Sequence, residues 1–396
     1  MKNSSNIICF APSDWWGMNP SCTTHIMRHF SAANKVLYVN PFSSDIFGGK
    51  SGAARKGLKA RIIRKLRSML KCLRRPEKNI YVFSPFFIPI QGKRIFDIIN
   101  NFLLVIQLGM VSRIIRLKRP IVWVENIRAA DLLKVMRPSL IIYHVSDLFT
   151  ADQYSSDANI RYQWDKSITN KSDLIICVSR QLYEAKKKVK GNVHYLPHGV
   201  DYDRYRKAAT TSEISEPIKD VTHPIAGYFG TMTALNDIEL LHHCATSLPQ
   251  ISFVLAGQVT SGDYQELGKL PNVYLLGRVP YKNIPTLCAN FDVCMLQWKM
   301  DDWIRACNPL KMFEYMASGK PIVSVPIEEV KKYDDLISIT ETKEEFCRAI
   351  EWELQNDTPE RAQKRIDIAR QNSWASHMET INDLITHTFD QKYKQE

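Results

Sequence analysis

Short runs of almost purely apolar residues recur along this chain of 396 residues, and each run is followed by a stretch with helical periodicity. The clearest runs are IVWV at 121–124, LIIY at 140–143 and LIICV at 174–178, and the pattern resumes with IAGYF at 225–229. Strands that are apolar on both faces and alternate with helices are typical of a parallel sheet covered on both sides. Two such series in a chain of this length predict an α/β protein with two domains.

The composition limits the class of protein further. Hydrophobic residues make up 45% of the chain and charged residues 24%, as in soluble globular proteins. The formal net charge of +12 favours phosphate-rich partners such as nucleotides, anionic membranes or nucleic acid. The nine cysteines show no zinc-type spacing, which is typical of reduced thiols in a cytosolic protein. Because the first strand is not followed by GxGxxG, we expect neither NAD nor FAD, and no other cofactor.

One segment, NPLKMFEYMASGKP at 308–321, combines a predicted helix with chemistry at its start. Pro309 is suited to the first turn of a helix, and Gly319 is suited to its end. Lys311 and Glu314 are three residues apart and therefore lie on the same helical face. A helix N-terminus attracts anions, and a lysine there adds a second phosphate-binding group. An ordinary amphipathic helix with a solvated Lys–Glu pair would have the same spacing.

This segment resembles the nucleotide-sugar-binding segment of GT-B glycosyltransferases of group 1, which include bacterial polysaccharide and cell-envelope enzymes. Further stretches agree in order and spacing, and the similarity covers most of residues 170–325. One departure is Ala306, because many retaining members have a second glutamate eight residues before the position of Glu314. The resemblance implies the GT-B fold, in which two Rossmann-like βαβ domains face each other across a cleft. The agreeing stretches are PHGVD at 197–201, GYFGTM at 227–232, FVLAGQV at 253–259 and LPNVYLLGRVPYKNIP at 270–285.

The same resemblance implies a donor site for a nucleotide-diphosphate sugar. In such a site Gly17 would lie near the donor phosphate and Arg278 beside the base. Lys311 and the helix N-terminus would neutralise the leaving diphosphate, so no metal ion is expected there. The donor-binding residues implied by the resemblance are Gly17, Gly230, Thr231, Arg278, Arg305, Asn308, Leu310, Lys311 and Glu314.

Candidate catalytic residues follow from the rule that ligands bind at the carboxyl ends of parallel strands. That rule selects Glu125 after IVWV, and His144 and Asp147 after LIIY. Helix capping or turn formation would explain the same residues. Because YHVSD resembles a segment that carries an acid in related enzymes, we predict Asp147 as the catalytic base and His144 as a second catalytic residue. The two tryptophans at 15–16 are suited either to stack on a sugar or to fill the edge of the sheet.

A strongly basic stretch lies at residues 55–75, with ten Lys or Arg and no acidic residue. Its apolar residues recur at three- and four-residue steps, for example at Leu58, Ile62 and Leu66. This pattern predicts a basic amphipathic helix that adsorbs to anionic lipid. A helix packed on the first domain is the alternative. Nucleic acid is not an expected partner, because no aromatic residues are interleaved with the basic ones.

Together these features predict a hexosyltransferase that moves a sugar from a nucleotide-diphosphate donor to a lipid-linked saccharide acceptor. The expected process is exopolysaccharide or cell-envelope polysaccharide biosynthesis, by a cytoplasmic protein held at the inner face of the cell membrane. A nucleotide-sugar 2-epimerase of the same fold and a non-catalytic membrane-surface scaffold are the alternatives. The predicted parts are an acceptor-side domain at 1–204, a linker at 205–223, a nucleotide-sugar-binding domain at 224–372 and a C-terminal helix at 373–396 that crosses back to the first domain.

Overall fold

The computed structural model describes residues 6–17, 19–42, 67–88, 94–148 and 158–394. The chain divides into two compact units. The first unit contains residues up to Leu196 together with those from Met378 onward, and the second contains Pro197–His377. Each unit has its own sheet and its own hydrophobic core.

The first unit is built on an eight-stranded sheet in the order β3-β4-β2-β1-β5-β6-β7-β8. All neighbouring strands are parallel except β3 and β4. The central strands are buried on both faces, as their continuous apolar sequences require. The strands are β1 Asn6–Phe10, β2 Lys35–Val39, β3 Leu73–Glu77, β4 Ile80–Phe83, β5 Ile121–Val124, β6 Leu140–Val145, β7 Leu174–Cys177 and β8 Val193–Tyr195.

Helices connect the parallel strands of the first unit. The first of them starts at a capping box, in which Ser21 Oγ accepts from Thr24 N and Thr24 Oγ1 accepts from Ser21 N. Residues 127–134 form two short 3₁₀ turns rather than an α-helix. The helices of this unit are α1 Cys22–Ser31, α2 Arg94–Ile114, α3 Ala158–Lys171 and α4 Arg180–Lys187.

The second unit has a six-stranded parallel sheet in the order β11-β10-β9-β12-β13-β14. This is the strand order of a Rossmann fold, and the order reverses between β9 and β12. The strands are β9 Ile225–Phe229, β10 Ser252–Ala256, β11 Val273–Gly277, β12 Val293–Leu296, β13 Ile322–Ser324 and β14 Ser338–Ile339. The helices are α5 Tyr202–Ala209, α6 Ile238–Ser247, α7 Ile284–Ala289, α8 Asp302–Ala306, α9 Leu310–Ala317, α10 Lys343–Asn356, α11 Pro359–Gln371 and α12 Trp374–Tyr393.

The predicted α/β class with two Rossmann-like domains is confirmed by these two sheets. The predicted linker at 205–223 is not a linker in the structure, because these residues belong to the second unit. Helix α5 extends to Ala209, and its Tyr205 is buried in the core of that unit. Ile218 of the same stretch is buried in that core as well, so two apolar contacts hold this otherwise polar sequence to the second unit.

The predicted basic helix at 55–75 ends earlier than expected. Residues 55–66 lie outside the described residues, and 67–69 are helical. Leu73 already begins β3, which pairs antiparallel with β4, so the helix prediction is wrong at its C-terminal end. The physical reason is the pairing with β4, in which Leu73 and Arg74 lie opposite Phe83 and Val82. Pro76 is tolerated because this strand lies at the edge of the sheet.

The final helix, α12, belongs to both units, because its residues from Met378 onward are counted with the first. Its buried residues in that unit include Ile381 and Ile385. Lys392 donates to Asp173 Oδ2 at 2.9 Å and to the Ser139 carbonyl at 3.1 Å. Within the part of the chain that the structure describes, no helix combines the length and apolar character needed to cross a membrane.

Candidate donor and catalytic sites

A glycine lies at the point where the strand order of the second sheet reverses. Gly230 follows β9 directly and has φ +145°, a conformation that side chains rarely adopt. A Cβ atom at Gly230 would lie 2.4 Å from Lys311 Cε and 2.8 Å from Lys311 Nζ. A Cβ at Gly257 would in turn lie 1.8 Å from the Gly230 carbonyl oxygen. Two glycines therefore let the backbone and the Lys311 ammonium group come together at this edge.

Lys311 lies in the first turn of α9, and two aromatic rings hold its ammonium group in place. Lys311 Nζ is 5.5 Å from the ring centroid of Tyr228 and 5.4 Å from that of Trp298. The two rings meet edge to face at 6.3 Å. Among the described residues no carboxylate forms an ion pair with Lys311. A cation at a helix N-terminus with no carboxylate partner is suited to bind an anion.

The Glu314 side chain contacts α5. It is buried, and its Oε1 accepts a hydrogen bond from the Tyr205 hydroxyl at 2.8 Å. Burial raises the pKa of Glu314 to about 7, although the Tyr205 bond and the charges of Lys311 and Arg204 oppose the shift. The solvated Lys–Glu pair that the spacing allowed is therefore excluded, and the carboxyl group is able to change charge near neutral pH.

The other predicted donor residues are distributed unevenly around this edge. Thr231 is exposed directly after Gly230, and Leu310 is the first residue of α9. Arg305 is exposed near the end of α8. Arg278 is also exposed, but it follows β11, two strands away from β9.

Asn308, the last of the predicted donor residues in the second unit, is buried. Its Oδ1 accepts from the His198 backbone at 3.4 Å, and its Nδ2 donates to Glu329 at 3.3 Å. The first bond joins the loop before α9 to the loop after β8, and the second joins it to the loop after β13.

Gly17, the donor residue predicted in the first unit, closes a tight turn. Its N–H donates to the Asp14 carbonyl at 2.8 Å, and a Cβ on Gly17 would lie 2.8 Å from the same oxygen. The neighbouring Trp15 packs edge to face on Tyr38 at 5.1 Å, and the Lys71 ammonium covers the Trp16 ring at 3.8 Å. Both tryptophans thus have protein partners, which favours the interpretation that they fill the edge of the sheet.

His144 lies inside β6 rather than after it, and it is buried. Its Nδ1 is 3.5 Å from Glu125 Oε2, and Thr23 donates to the same carboxylate oxygen. Burial alone would raise the pKa of Glu125, but the nearby His144, with bonds from Ser146 and Thr23, lowers it below its ordinary value. Glu125 and His144 therefore form a buried pair beneath the edge where the strand order of the first sheet reverses.

Asp147 follows β6 and is partly exposed, with its Oδ1 accepting from the Leu148 backbone at 2.8 Å. It lines a cavity of about 400 Å³ between α3 and α4. The opposite wall contains Asp165, which forms an ion pair with Lys186 at 2.6 Å and accepts from the Tyr143 hydroxyl at 2.7 Å. Of the predicted catalytic residues, Asp147 is the one that reaches the surface.

Three residues of the donor site were not predicted from the sequence: Tyr205, Tyr228 and Trp298. Trp298 comes two residues after β12, so the rule about the carboxyl ends of strands would have selected it. Tyr205 carried no local signal, because it reaches Glu314 across 109 residues of sequence. The described residues contain no group of three His, Cys, Asp or Glu side chains that could hold a metal ion.

Comparisons with known proteins agree with this arrangement. Residues 223–356 match the family model of group 1 glycosyl transferases. A putative teichuronic acid biosynthesis glycosyltransferase of Bacillus subtilis, TuaH, is 28% identical over 209 residues, which are 48% of this chain and 52% of TuaH. The chain thus spans about half the length of the curated relative it matches.

Solved structures are similar over nearly the whole chain. Anabaena HepE in complex with UDP and glucose has a TM-score of 0.64 at 16% identity, covering 97% of this chain and 100% of HepE. Sucrose-phosphate synthase of Thermosynechococcus elongatus has a TM-score of 0.70 at 12% identity, covering 98% and 99%. Because these identities are low, the similarity establishes the fold alone, and that fold is GT-B. The resemblance predicted from the sequence, to GT-B glycosyltransferases of the cell-envelope type, is confirmed.

Proposed function

We propose that this chain, a GT-B protein with a group 1 glycosyltransferase match in its second unit, transfers a hexose from a nucleoside diphosphate sugar to a saccharide acceptor. The observation that carries the proposal is the meeting of Gly230, the N-terminus of α9 and the Lys311 ammonium at one point. This is the edge where a Rossmann-like sheet receives its ligand. The UDP-containing complex of HepE makes uridine nucleotides the first donors to test.

The chemistry of the proposed transfer divides between the two units. Lys311 and the α9 N-terminus stabilise the negative charge that grows on the leaving diphosphate, because both present fixed positive charge before the bond breaks. Glu314 accepts hydrogen bonds from the ribose diol. Asp147 removes the proton from the attacking acceptor hydroxyl, as a surface carboxylate within the first unit.

A lipid-linked acceptor for envelope or extracellular polysaccharide is the finer part of the proposal. It is supported by the sequence match to a teichuronic acid enzyme and by the concentration of basic residues at 55–75. Incubation with a panel of donors and membrane lipid extract, followed by mass spectrometry, tests it. A sugar added to a lipid-linked saccharide supports the proposal. If the donor sugar is epimerised when no acceptor is present, the epimerase alternative replaces the proposal.

The donor site is tested by calorimetry with Lys311→Ala. The variant should bind nucleoside diphosphate more weakly by about 1.5–3 kcal/mol, or about 10- to 150-fold, because a charge-assisted contact is lost. Binding of nucleoside monophosphate should change much less, since the lysine addresses the distal phosphate. Lys364→Ala, at an exposed position of α11, is the matched control and should bind both as the wild type does. Equal diphosphate affinity in both variants would refute the site.

A further inference from the structure

Helix α2 exposes apolar side chains on its solvent-facing side. In a globular protein this side of a helix is normally polar. Its inner face packs in the core of the first unit through Leu104, Leu108 and Val111. The opposite side, which we call the outer face, is solvent-exposed along the whole helix. It consists of Ile95, Ile98, Ile99, Phe102, Val105, Ile106, Met110 and Ile114, whose exposure runs from 37% to 70%.

The outer face is one continuous surface rather than a set of scattered residues. Its members follow one another at steps of three and four, so they form a stripe along the helix. From Ile95 to Ile114 the stripe is about 30 Å long. Single exposed apolar residues are ordinary on protein surfaces, but a contiguous apolar patch of this length marks an interaction site.

Two polar side chains of α2 hold a further exposed aromatic residue beside the outer face. The Gln107 side chain donates to the Phe86 carbonyl at 2.8 Å and accepts from the Phe86 N–H at 2.9 Å. Asn100 does the same for Ile88, at 2.9 Å and 2.7 Å. Two amide side chains, two helical turns apart, thus hold the segment before α2 against the helix. Phe86, which is 62% exposed, is thereby held beside α2.

The charges toward the C-terminal end of the outer face are all positive. Residues 98–120 contain no Asp or Glu. Arg113 is exposed in the last turn of α2, and Arg116, Lys118 and Arg119 are exposed in the turns that follow. This basic cluster is separate from the basic stretch at 55–75.

Three kinds of occupant would cover an apolar stripe: a second copy of the chain, another protein, or a lipid bilayer. A second copy offers little charge complementarity, because residues 94–120 contain one acidic residue, Asp97, against five Lys or Arg. An anionic bilayer offers both an apolar interior and phosphate groups at its surface. The helix itself is not apolar enough to cross the bilayer. It has instead the features of an interfacial helix that lies flat.

We propose that the outer face of α2 docks on the surface of an anionic lipid bilayer. Its apolar side chains enter the boundary between headgroups and acyl chains, to a depth of about 5–10 Å. The cluster of Arg113, Arg116, Lys118 and Arg119 binds lipid phosphate at the end of the helix. Binding needs neither donor nor acceptor sugar, so its success or failure is independent of the proposed transfer reaction.

The test is co-sedimentation of the full chain with vesicles of phosphatidylcholine and phosphatidylglycerol in equal amounts. The double variant Phe102→Ser with Ile106→Ser should bind the vesicles at least about tenfold more weakly than the wild type, because two exposed apolar anchors are lost. The matched control is Ile214→Ser with Val259→Ser, which replaces two exposed apolar residues of the second unit and should bind as the wild type does.

A second variant separates charge from apolar insertion. Arg113→Gln with Arg116→Gln should lose binding to the anionic vesicles at low salt and should match the wild type at high salt, where the phosphate contacts are screened. Both positions are exposed, so folding is expected to be unaffected, and circular dichroism checks this. Wild-type sedimentation by both double variants would overturn the proposal. So would a wild-type dimer that the Phe102→Ser, Ile106→Ser variant converts to monomer without any vesicle binding.

Discussion

At the scale of single residues, the most informative group is Glu314. Its spacing from Lys311 also suited a solvated ion pair, which the structure excludes because the carboxyl is buried and accepts a hydrogen bond from Tyr205. Local periodicity identified the helical face correctly. It could not reveal that a tyrosine 109 residues away in sequence covers the carboxyl group. Long-range contacts of this kind have no local signature.

The raised pKa of Glu314 predicts a stability that depends on pH. The carboxyl has a folded-state pKa of about 7 against an ordinary value of about 4.5, so between these values the folded protein holds a proton that the unfolded chain has lost. Its contribution to stability is therefore complete below about pH 4.5 and is lost as the pH rises through about 7.

Glu314→Gln keeps the acceptor for Tyr205 and removes this dependence. Urea unfolding should give the variant and the wild type similar free energies at pH 5. At pH 8 the variant should be more stable by about 1–3 kcal/mol, because it does not bury a charge. Because other titrating groups are common to both proteins, they cancel in the difference. A difference that does not change with pH would contradict the assignment.

The catalytic role proposed for Asp147 leads to a prediction about turnover. Asp147→Asn should reduce turnover by about two to four orders of magnitude, the usual range for loss of a general base. Affinity for the donor should be almost unchanged, because Asp147 belongs to the unit without the donor site. Asp390→Asn, at an exposed position of the same unit, is a useful control. Near-normal turnover in the Asp147 variant would move the role to Glu125, Asp14 or His144.

At the scale of elements, the strands were predictable and several connections were not. Buried parallel strands have continuous apolar sequences, so β5, β6, β7 and β9 could be predicted from the sequence alone. The end of the basic helix could not, because residues 73–75 suit a helical face and a strand edge equally well. Pairing with β4 decides in favour of the strand.

The buried side chains of α12 lead to a prediction about stability. Ile385 is fully buried, so Ile385→Ala should lower the free energy of unfolding of the first unit by about 2–4 kcal/mol through lost burial and a cavity. Asp383→Ala, at an exposed position of the same helix, should change it by less than about 0.5 kcal/mol. Chemical denaturation of both variants measures the two effects. Equal stabilities would mean that α12 does not contribute to the core of the first unit.

At the scale of the whole molecule, both Rossmann-like sheets follow from the alternating pattern, and the sites lie at sheet edges that the topology selects. The side chains at those edges were only partly predictable. Gly230 after β9 and Lys311 at the start of α9 belong to recognisable sequence motifs. The two aromatic rings around Lys311 come from β9 and from the loop after β12. Their meeting depends on the strand order.

The proposed chemistry uses fixed protein charge at the diphosphate, which leads to a prediction for the complete enzyme. Transfer should continue in excess EDTA, because Lys311 and the α9 N-terminus supply the positive charge that a metal ion would otherwise provide. Product formation with and without EDTA, followed by addition of Mg²⁺ or Mn²⁺, measures this. Loss of activity in EDTA with recovery on adding either ion would require a metal-dependent mechanism instead.

The division of α12 between the units has a consequence for synthesis on the ribosome. The first unit includes residues from Met378 onward, which are made only after all of Pro197–His377. At a synthesis rate of about 5–20 residues per second, the surface that later packs against Ile381 and Ile385 stays exposed for roughly 10–40 s. The second unit is continuous in sequence and is able to complete its fold during that time. The order in which the two units are finished is thus the reverse of the order in which they begin.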